Sequence, residues 1–278
     1  MTSSLRSLRF LARGASLAAG LLFAALMADA AHAAPAVLRV GVTTGPHEQV
    51  FEVVKKVAER DYGLKIQIVP FTDYVRPNAA LDAGDLEANS YQHRPFLAAQ
   101  IRARNYKLVG LGRTWIGPIG IYSKKYKQFK DIPNGATIGI PNDPANESRV
   151  LLLLQQAGAI KLRTGIDPVA GVNATPRDII DNPRGFKFVE IEAAQLPRTL
   201  DDFDATTINA DYALKAGLHP VRDTLLVEGA DGPYACLIAV READRDQPWA
   251  QQLVQAYQSE EVRAFIQKKF EGAIIPAF

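Results

Sequence analysis

Along residues 37–112, short apolar runs alternate with helical segments, and that alternation restricts the chain to few architectures. Residues 37–44 read as a strand. Gly45 and Pro46 turn it into a helix with Val50, Val53, Val54 and Val57 on one face, and Tyr62 and Gly63 close that helix. Residues 64–71 alternate as a strand, a loop around Tyr74 enters a short helix over 77–83, and 84–91 returns as strand. Pro95 opens a further helix to 105, and 106–112 is strand again. This β-α-β-α-β-α-β order predicts an open α/β sheet. Ligands of such sheets sit beyond the carboxyl ends of the strands, where the loops gather.

A second α/β pattern follows. Residues 115–124 read as extended, with Gly117-Pro118 a candidate crossing. Strands are expected over 136–140, 186–193, 204–209 and 224–228, with helices over 145–157, 176–182 and 210–216 between them. Residues 233–240 form a return crossing. Residues 248–270 read as one amphipathic helix with Leu253, Tyr257, Val262, Phe265 and Ile266 inward. No repeat of fixed period interrupts this order. The expected architecture is therefore two α/β lobes joined by two crossing strands, with a cleft between them: residues 34–116 and 234–278 in the first lobe, 117–233 in the second.

Residues 1–33 carry the marks of a cleavable secretory signal: Arg6, Arg9 and Arg13, an apolar run from Ala15 to Met27, and the small-x-small triplet Ala31-His32-Ala33. The run is short for a membrane span. No cysteine lies near the cleavage site, so a lipid-attachment box is absent, and the mature chain is expected in the periplasm. Removing residues 1–33 takes Arg6, Arg9, Arg13 and Asp29 from 32 basic and 30 acidic side chains and leaves the two signs equal. A balanced chain gives no reason to expect nucleic acid or an anionic membrane as partner. Cys236 is the one cysteine, and His32, His47, His93 and His219 are scattered, so neither a disulfide nor a zinc site is expected.

The run Ile140-Pro-Asn-Asp-Pro-Ala-Asn-Glu-Ser-Arg149 joins a strand to an apolar helix that ends before Gly158. Asn142 or Asp143 can cap that helix, and Pro144 suits its first turn. A helix start with Arg149 one turn further in suits a small anion such as a carboxylate; routine capping with Arg149 as surface charge is the plainer reading. No nucleophile elbow, phosphate loop or dinucleotide fingerprint is present. Cys236 lies in an apolar strand, where packing is its default role. The carboxylate pairs Asp201-Asp202 and Glu190/Glu192 are explained by solvated loop and strand alternation. Binding needs less than catalysis: a cation, amides and aromatics. Tyr74, Tyr91, His93, Phe96, Asn142, Asn146, Arg149 and Asn209 are strand-end and loop residues of those types.

Several longer segments carry a family resemblance: Phe71-Thr-Asp-Tyr-Val-Arg-Pro-Asn78, Gly84-Asp-Leu-Glu-Ala-Asn-Ser-Tyr-Gln-His-Arg-Pro-Phe96, Tyr106-Lys-Leu-Val109, Pro141-Asn-Asp-Pro-Ala-Asn146, Arg149-Val-Leu-Leu-Leu-Leu-Gln155, Gln195-Leu-Pro-Arg-Thr-Leu-Asp-Asp202 and Gln255-Ala-Tyr-Gln-Ser-Glu260. In these the chain resembles the NlpA-type substrate-binding proteins, the methionine-binding receptors of bacterial ABC importers, over residues 37–278. The resemblance implies a type II-like periplasmic-binding fold that closes on an amino acid and delivers it to a membrane permease, acting as a monomer without cofactor, metal or catalytic residue. It implies that Arg149 meets the ligand carboxylate, Asn142 and Asn146 the polar end, and Asn209 the amino-acid head from the second lobe. Tyr74, Tyr91, His93 and Phe96 would enclose a thioether side chain. Two departures stand out: the family's lipid-bearing cysteine is missing, and Cys236 occupies a position where the family has asparagine. A thiol is a weak donor and acceptor and does not replace an amide, which puts the identity of the ligand in question. The competing functions are a dehydratase-like periplasmic enzyme, for which His93 and the carboxylates near Asp201 are the candidate groups, and a sensory receptor for an amino-acid-like ligand.

Overall fold

The computed structural model describes residues 35–278, and the signal expected over 1–33 lies outside the described residues. The first half forms strands β1 (Leu38–Thr43), β2 (Ile66–Phe71), β3 (Ala88–His93) and β4 (Leu108–Arg113), with helices α1 (Pro46–Tyr62), α2 (Arg76–Asp82) and α3 (Arg94–Arg104) between them. The chain then passes through β5 (Trp115–Ile116) to β6 (Ile119–Tyr122), β7 (Thr137–Pro141), α4 (Pro144–Gln156), β8 (Lys161–Leu162), β9 (Ile179–Asp181), β10 (Lys187–Ile191), β11 (Ala205–Asn209), α5 (Ala210–Lys215) and β12 (Leu226–Val227). It returns through β13 (Cys236–Arg241) to α6 (Pro248–Tyr257), α7 (Glu260–Phe270) and β14 (Ile275–Pro276), which pairs with β5.

Two five-stranded sheets result, ordered β2-β1-β3-β13-β4 and β10-β7-β11-β6-β12. In the first, β1 runs parallel to β2 and β3, and β13 lies antiparallel between β3 and β4. In the second, β7 runs parallel to β10 and β11, and β6 lies antiparallel between β11 and β12. Each sheet thus receives its antiparallel member from a segment that crosses between lobes. The fold is two α/β lobes with two crossings.

Each lobe has its own apolar layer. Val40, Val42, Ile238 and Val240 of the first sheet pack on Val50, Phe51 and Val54 of α1, Leu253 and Tyr257 of α6, and Val262 and Ile266 of α7. Ile119, Ile121, Ile138 and Ile140 of the second sheet pack on Val150, Leu151 and Leu154 of α4. Burying each such side chain contributes about 1.5–3 kcal/mol, which beats the weak strand and helix propensities and fixes the registers.

Two expected elements differ. The helix expected over 176–182 is a single 3-10 turn, Pro176–Asp178, followed by β9, which pairs with β8. The β-branched pair Ile179-Ile180 favours a strand, and Asn182 stands before Pro183, where the helical region is disfavoured. The helix expected over 248–270 is two helices. Ser259 accepts from the Val262 N–H and begins α7 anew, a cap that competes with continuation.

Glu147 in the first turn of α4 is buried, and its Oε1 has no hydrogen-bond partner among the described residues. Burial, with Glu190 of β10 facing it, pushes the carboxyl from 4.5 up to about 8. The fold therefore retains a proton that the unfolded chain releases near the ordinary value, and Glu147 subtracts stability as pH rises from 4.5 to about 8. Glu147→Gln should raise the urea midpoint at pH 8 relative to wild type and leave it nearly unchanged at pH 5; parallel pH profiles for the two proteins would refute this assignment.

Candidate functional site

Four helices begin where parallel strands end: α1 after β1, α3 after β3, α4 after β7 and α5 after β11. β13 starts at the same level, with Cys236 opposite His93 in register. The strand ends of both lobes line a cavity that, with the solvent it opens to, has about 390 Å³ of atom-free space. Tyr74, Tyr91, His93 and Phe96 line it from the first lobe; Asn146, Arg149 and Asn209 line it from the second, and Cys236 from the return strand. Asn142 is the exception. It is exposed at the β7–α4 junction, where its backbone N–H donates to the Ile191 carbonyl at 2.9 Å. Asp143 takes the cap instead, its Oδ1 accepting from the Asn146 N–H at 2.9 Å, and Asn142 is not among the residues lining the cavity.

Asp143 also sets the direction of a hydrogen-bond chain. Its Oδ2 accepts from Asn146 Nδ2 at 2.9 Å, so Asn146 must present Oδ1 on its other side. That oxygen accepts from Asn209 Nδ2 at 2.9 Å and lies 3.2 Å from His93 Nε2. His93 caps α3, its Nδ1 accepting from the Phe96 N–H at 3.2 Å, so the ring proton is on Nε2 and points at Asn146. Burial, reinforced by the charge of Arg149, pushes His93 down to about 3 and keeps it neutral. With Nδ2 of Asn209 committed, Asn209 Oδ1 is left as a buried acceptor with no partner among the described residues. A carboxylate outside the cavity has thus fixed an acceptor inside it.

Arg149 is 3% exposed. Its Nε donates to Glu228 Oε1 at 2.9 Å, and Nη2 donates to Glu228 and, at 2.9 Å, to the Gly117 carbonyl. A Cβ on Gly117 would stand 2.6 Å from that of Ala210, so only glycine brings this carbonyl so close. The guanidinium lies over the Tyr234 ring at 4.3 Å. Burial opposes the charge, but Glu228 more than offsets it and holds the guanidinium above its ordinary range. Nη1 has no hydrogen bond among the described residues and is the donor left for a ligand.

The apolar end of the cavity is an aromatic box. Tyr74, Tyr91 and Phe96 have ring centroids 5.9–6.0 Å apart, the two contacts to Phe96 edge-on. His93 packs edge-on against Tyr234 at 5.1 Å. Cys236 Sγ lies 3.9 Å from the Tyr91 carbonyl, and burial pushes the thiol up, so it remains a neutral, polarisable contact.

Further residues reach the site, His47, Trp115, Asp211 and Tyr234 among them. His47 in the first turn of α1 is 1% exposed, stacks on Trp115 at 4.3 Å and has neither ring nitrogen hydrogen-bonded among the described residues. Burial pushes it down to about 3, and Trp115 Nε1 is likewise unpartnered. Asp211 and Tyr234 also line the cavity. The sequence signal for His47 and Asp211 was their place just after β1 and β11, the same position that marked His93 and Asn146. Glu228, behind Arg149, had no such signal.

Comparison with known proteins finds relatives along nearly the whole of the described chain. The family model for NlpA lipoprotein matches residues 38–278. The D-methionine-binding lipoprotein MetQ of Salmonella typhimurium is 46% identical over 240 residues, covering 86% of this chain and 87% of the relative; that of Escherichia coli K12 is 45% identical with the same coverage. Among solved structures, a nutrient binding protein from Burkholderia cenocepacia bound to methionine is 53% identical with a TM-score of 0.84, covering 87% of this chain and 100% of that one. The methionine binding protein MetQ is 44% identical with a TM-score of 0.83, covering 87% and 98%.

Asn146→Ala should strand Asn209 Nδ2, the His93 Nε2–H and Asp143 Oδ2 together. A loss of about 1–3 kcal/mol in the urea unfolding free energy of ligand-free protein is expected; unchanged stability would mean that water or rearrangement satisfies all three.

Proposed function

The chain belongs to the NlpA lipoprotein family, and on that premise we propose that it is an exported receptor that binds methionine between its lobes and hands it to the permease of an ABC importer. The observation that carries this reading is the division of the cavity into an aromatic box and a polar end with separate donors and acceptors. A thioether side chain is met by Tyr74, Tyr91 and Phe96, since sulfur packs well against aromatic edges. The carboxylate is met by Nη1 of Arg149, with Trp115 Nε1 as a second unpartnered donor. The amino-acid head is met by Asn209 Oδ1. Asn146 and His93, whose polar atoms are already engaged, act by holding these groups in place. Asn142 stands outside this set.

Catalysis is poorly served by the same residues. His93 has its lone pair taken by the Phe96 N–H, and Asp201 pairs at the exposed surface with Lys124 at 2.7 Å. The lobes, residues 34–116 with 234–278 and residues 117–233, would part to admit ligand and close around it, the closed form being the one that docks. The relatives are named lipoproteins, whereas the one cysteine of this sequence, Cys236, is buried in β13. A freely diffusing periplasmic receptor is the form we infer.

Calorimetric titration of unfolded, refolded and ligand-stripped protein with L-methionine, D-methionine and the other amino acids tests the reading. Submicromolar binding of a methionine enantiomer is expected; tight binding of another amino acid with none of methionine would reassign the substrate and make Cys236 the mark of the change. Arg149→Lys keeps a charge against Glu228 but gives up the free Nη1 donors. It should weaken methionine by ~2 kcal/mol, roughly thirtyfold; undiminished affinity would remove Arg149 from the carboxylate.

A further inference from the structure

The buried charges around the cavity do not balance. Arg149 and Glu228 neutralise each other, and both histidines in the wall are held neutral. That leaves Asp211, in the first turn of α5 and 4% exposed, with no cation within ion-pair distance among the described residues. Its partners are the Tyr74 hydroxyl at 2.6 Å and the Thr43 hydroxyl at 3.4 Å, both neutral and both from the other lobe. Lys215, one turn along the same helix, donates instead to Thr44 Oγ1 at 2.7 Å. A carboxylate taken out of water without a counter-ion is costly: burial raises the Asp211 carboxyl above its ordinary value despite the hydrogen bond from Tyr74, and a cation brought to it removes that cost. Two residues back, Asn209 Oδ1, on a side chain also nine-tenths buried, is an acceptor without a donor in the same cavity wall. One end of α5 therefore offers the cavity a carboxylate without a cation and a neutral acceptor without a donor.

We propose that Asp211 is the counter-ion of the ligand's ammonium group, acting with Asn209 Oδ1, and that it restricts the receptor to ligands carrying a positively charged nitrogen. The inference rests on the amino-acid-receptor reading and adds to it a residue and a selection rule. The ammonium supplies hydrogen bonds to both acceptors and the missing positive charge at once. Ligands that keep the carboxylate and the side chain but lack the charged nitrogen leave Asp211 buried and uncompensated, so they are rejected and not merely bound without gain. Because the Tyr74 and Thr43 hydroxyls reach Asp211 from the first lobe, the ammonium site is complete only when the lobes have closed.

The test compares L-methionine with 4-(methylthio)butanoate, which has the same carboxylate and thioether but no ammonium, by calorimetry on wild type and Asp211→Asn. Wild type should prefer methionine by a factor on the order of 100 or more, and Asp211→Asn should shrink that ratio at least ~10-fold. Equal losses for the two ligands would make Asp211 a lobe-to-lobe fastener only and overturn the proposal, as would an unchanged ratio. If Asp211→Asn does not fold, Tyr74→Phe decides: it removes the fastening hydrogen bond and leaves the carboxylate, so the ratio should persist, and its collapse overturns the proposal. If wild type ignores methionine, the substrate reading fails separately, and a thermal-shift panel of free and N-acetylated amino acids takes over. Stabilisation confined to free amines, and lost in Asp211→Asn, supports the proposal; stabilisation by an N-acetyl compound, or silence across the panel, overturns it.

Discussion

One amide oxygen, Oδ1 of Asn146, ties the two lobes together at the cavity. It receives Nδ2 of Asn209 from the second lobe and the Nε2–H of His93 from the first. An amide can be turned end for end at little steric cost, and here the turning is prevented by Asp143, whose two oxygens accept from the backbone N–H and the Nδ2 of Asn146. The proton order runs outward from that carboxylate, through Asn146, to the polarity of Asn209. Its origin is a helix cap, so the rule that begins α4 also decides which atoms the cavity shows to a ligand.

The arginine obeys a related constraint. A guanidinium this deeply buried could not stay charged alone, and Glu228 compensates it before any ligand arrives. What remains for recognition is a fixed set of donors with little net charge behind it. Affinity then depends on preorganisation of these groups more than on long-range attraction, which agrees with a chain whose two charge signs balance after residues 1–33 are set aside.

Much of this was legible in the sequence because its cause is local. Periodic valines on α1 and the alternating run before Phe71 follow from burial of one face, and they identify the elements. Strand-end residues could be nominated because an open α/β sheet gathers its loops there, which found Tyr91, His93, Asn146, Arg149 and Asn209. Local rules failed where two of them compete. Asn142 and Asp143 are both good caps, and only the contact with Asn146 settles which one caps α4. Ser259 is tolerable inside a helix and excellent at a start, and the structure uses it as a start. Glu228 was silent because its role depends on a partner 79 residues away, for which no spacing rule exists.

The strand that returns from the second lobe has a consequence for how the chain reaches this fold. β13 sits inside the first sheet, with β3 on one side and β4 on the other. Those two strands cannot meet each other, and until residue 241 is available each shows an unpaired edge. β6 likewise lies inside the second sheet. The second lobe draws all five strands of its sheet from residues 119–227, whereas the first waits for β13; the loop closures that complete the first span the whole of the second, and such non-local pairings form slowly. The lobe whose strands are made first is therefore the one finished last.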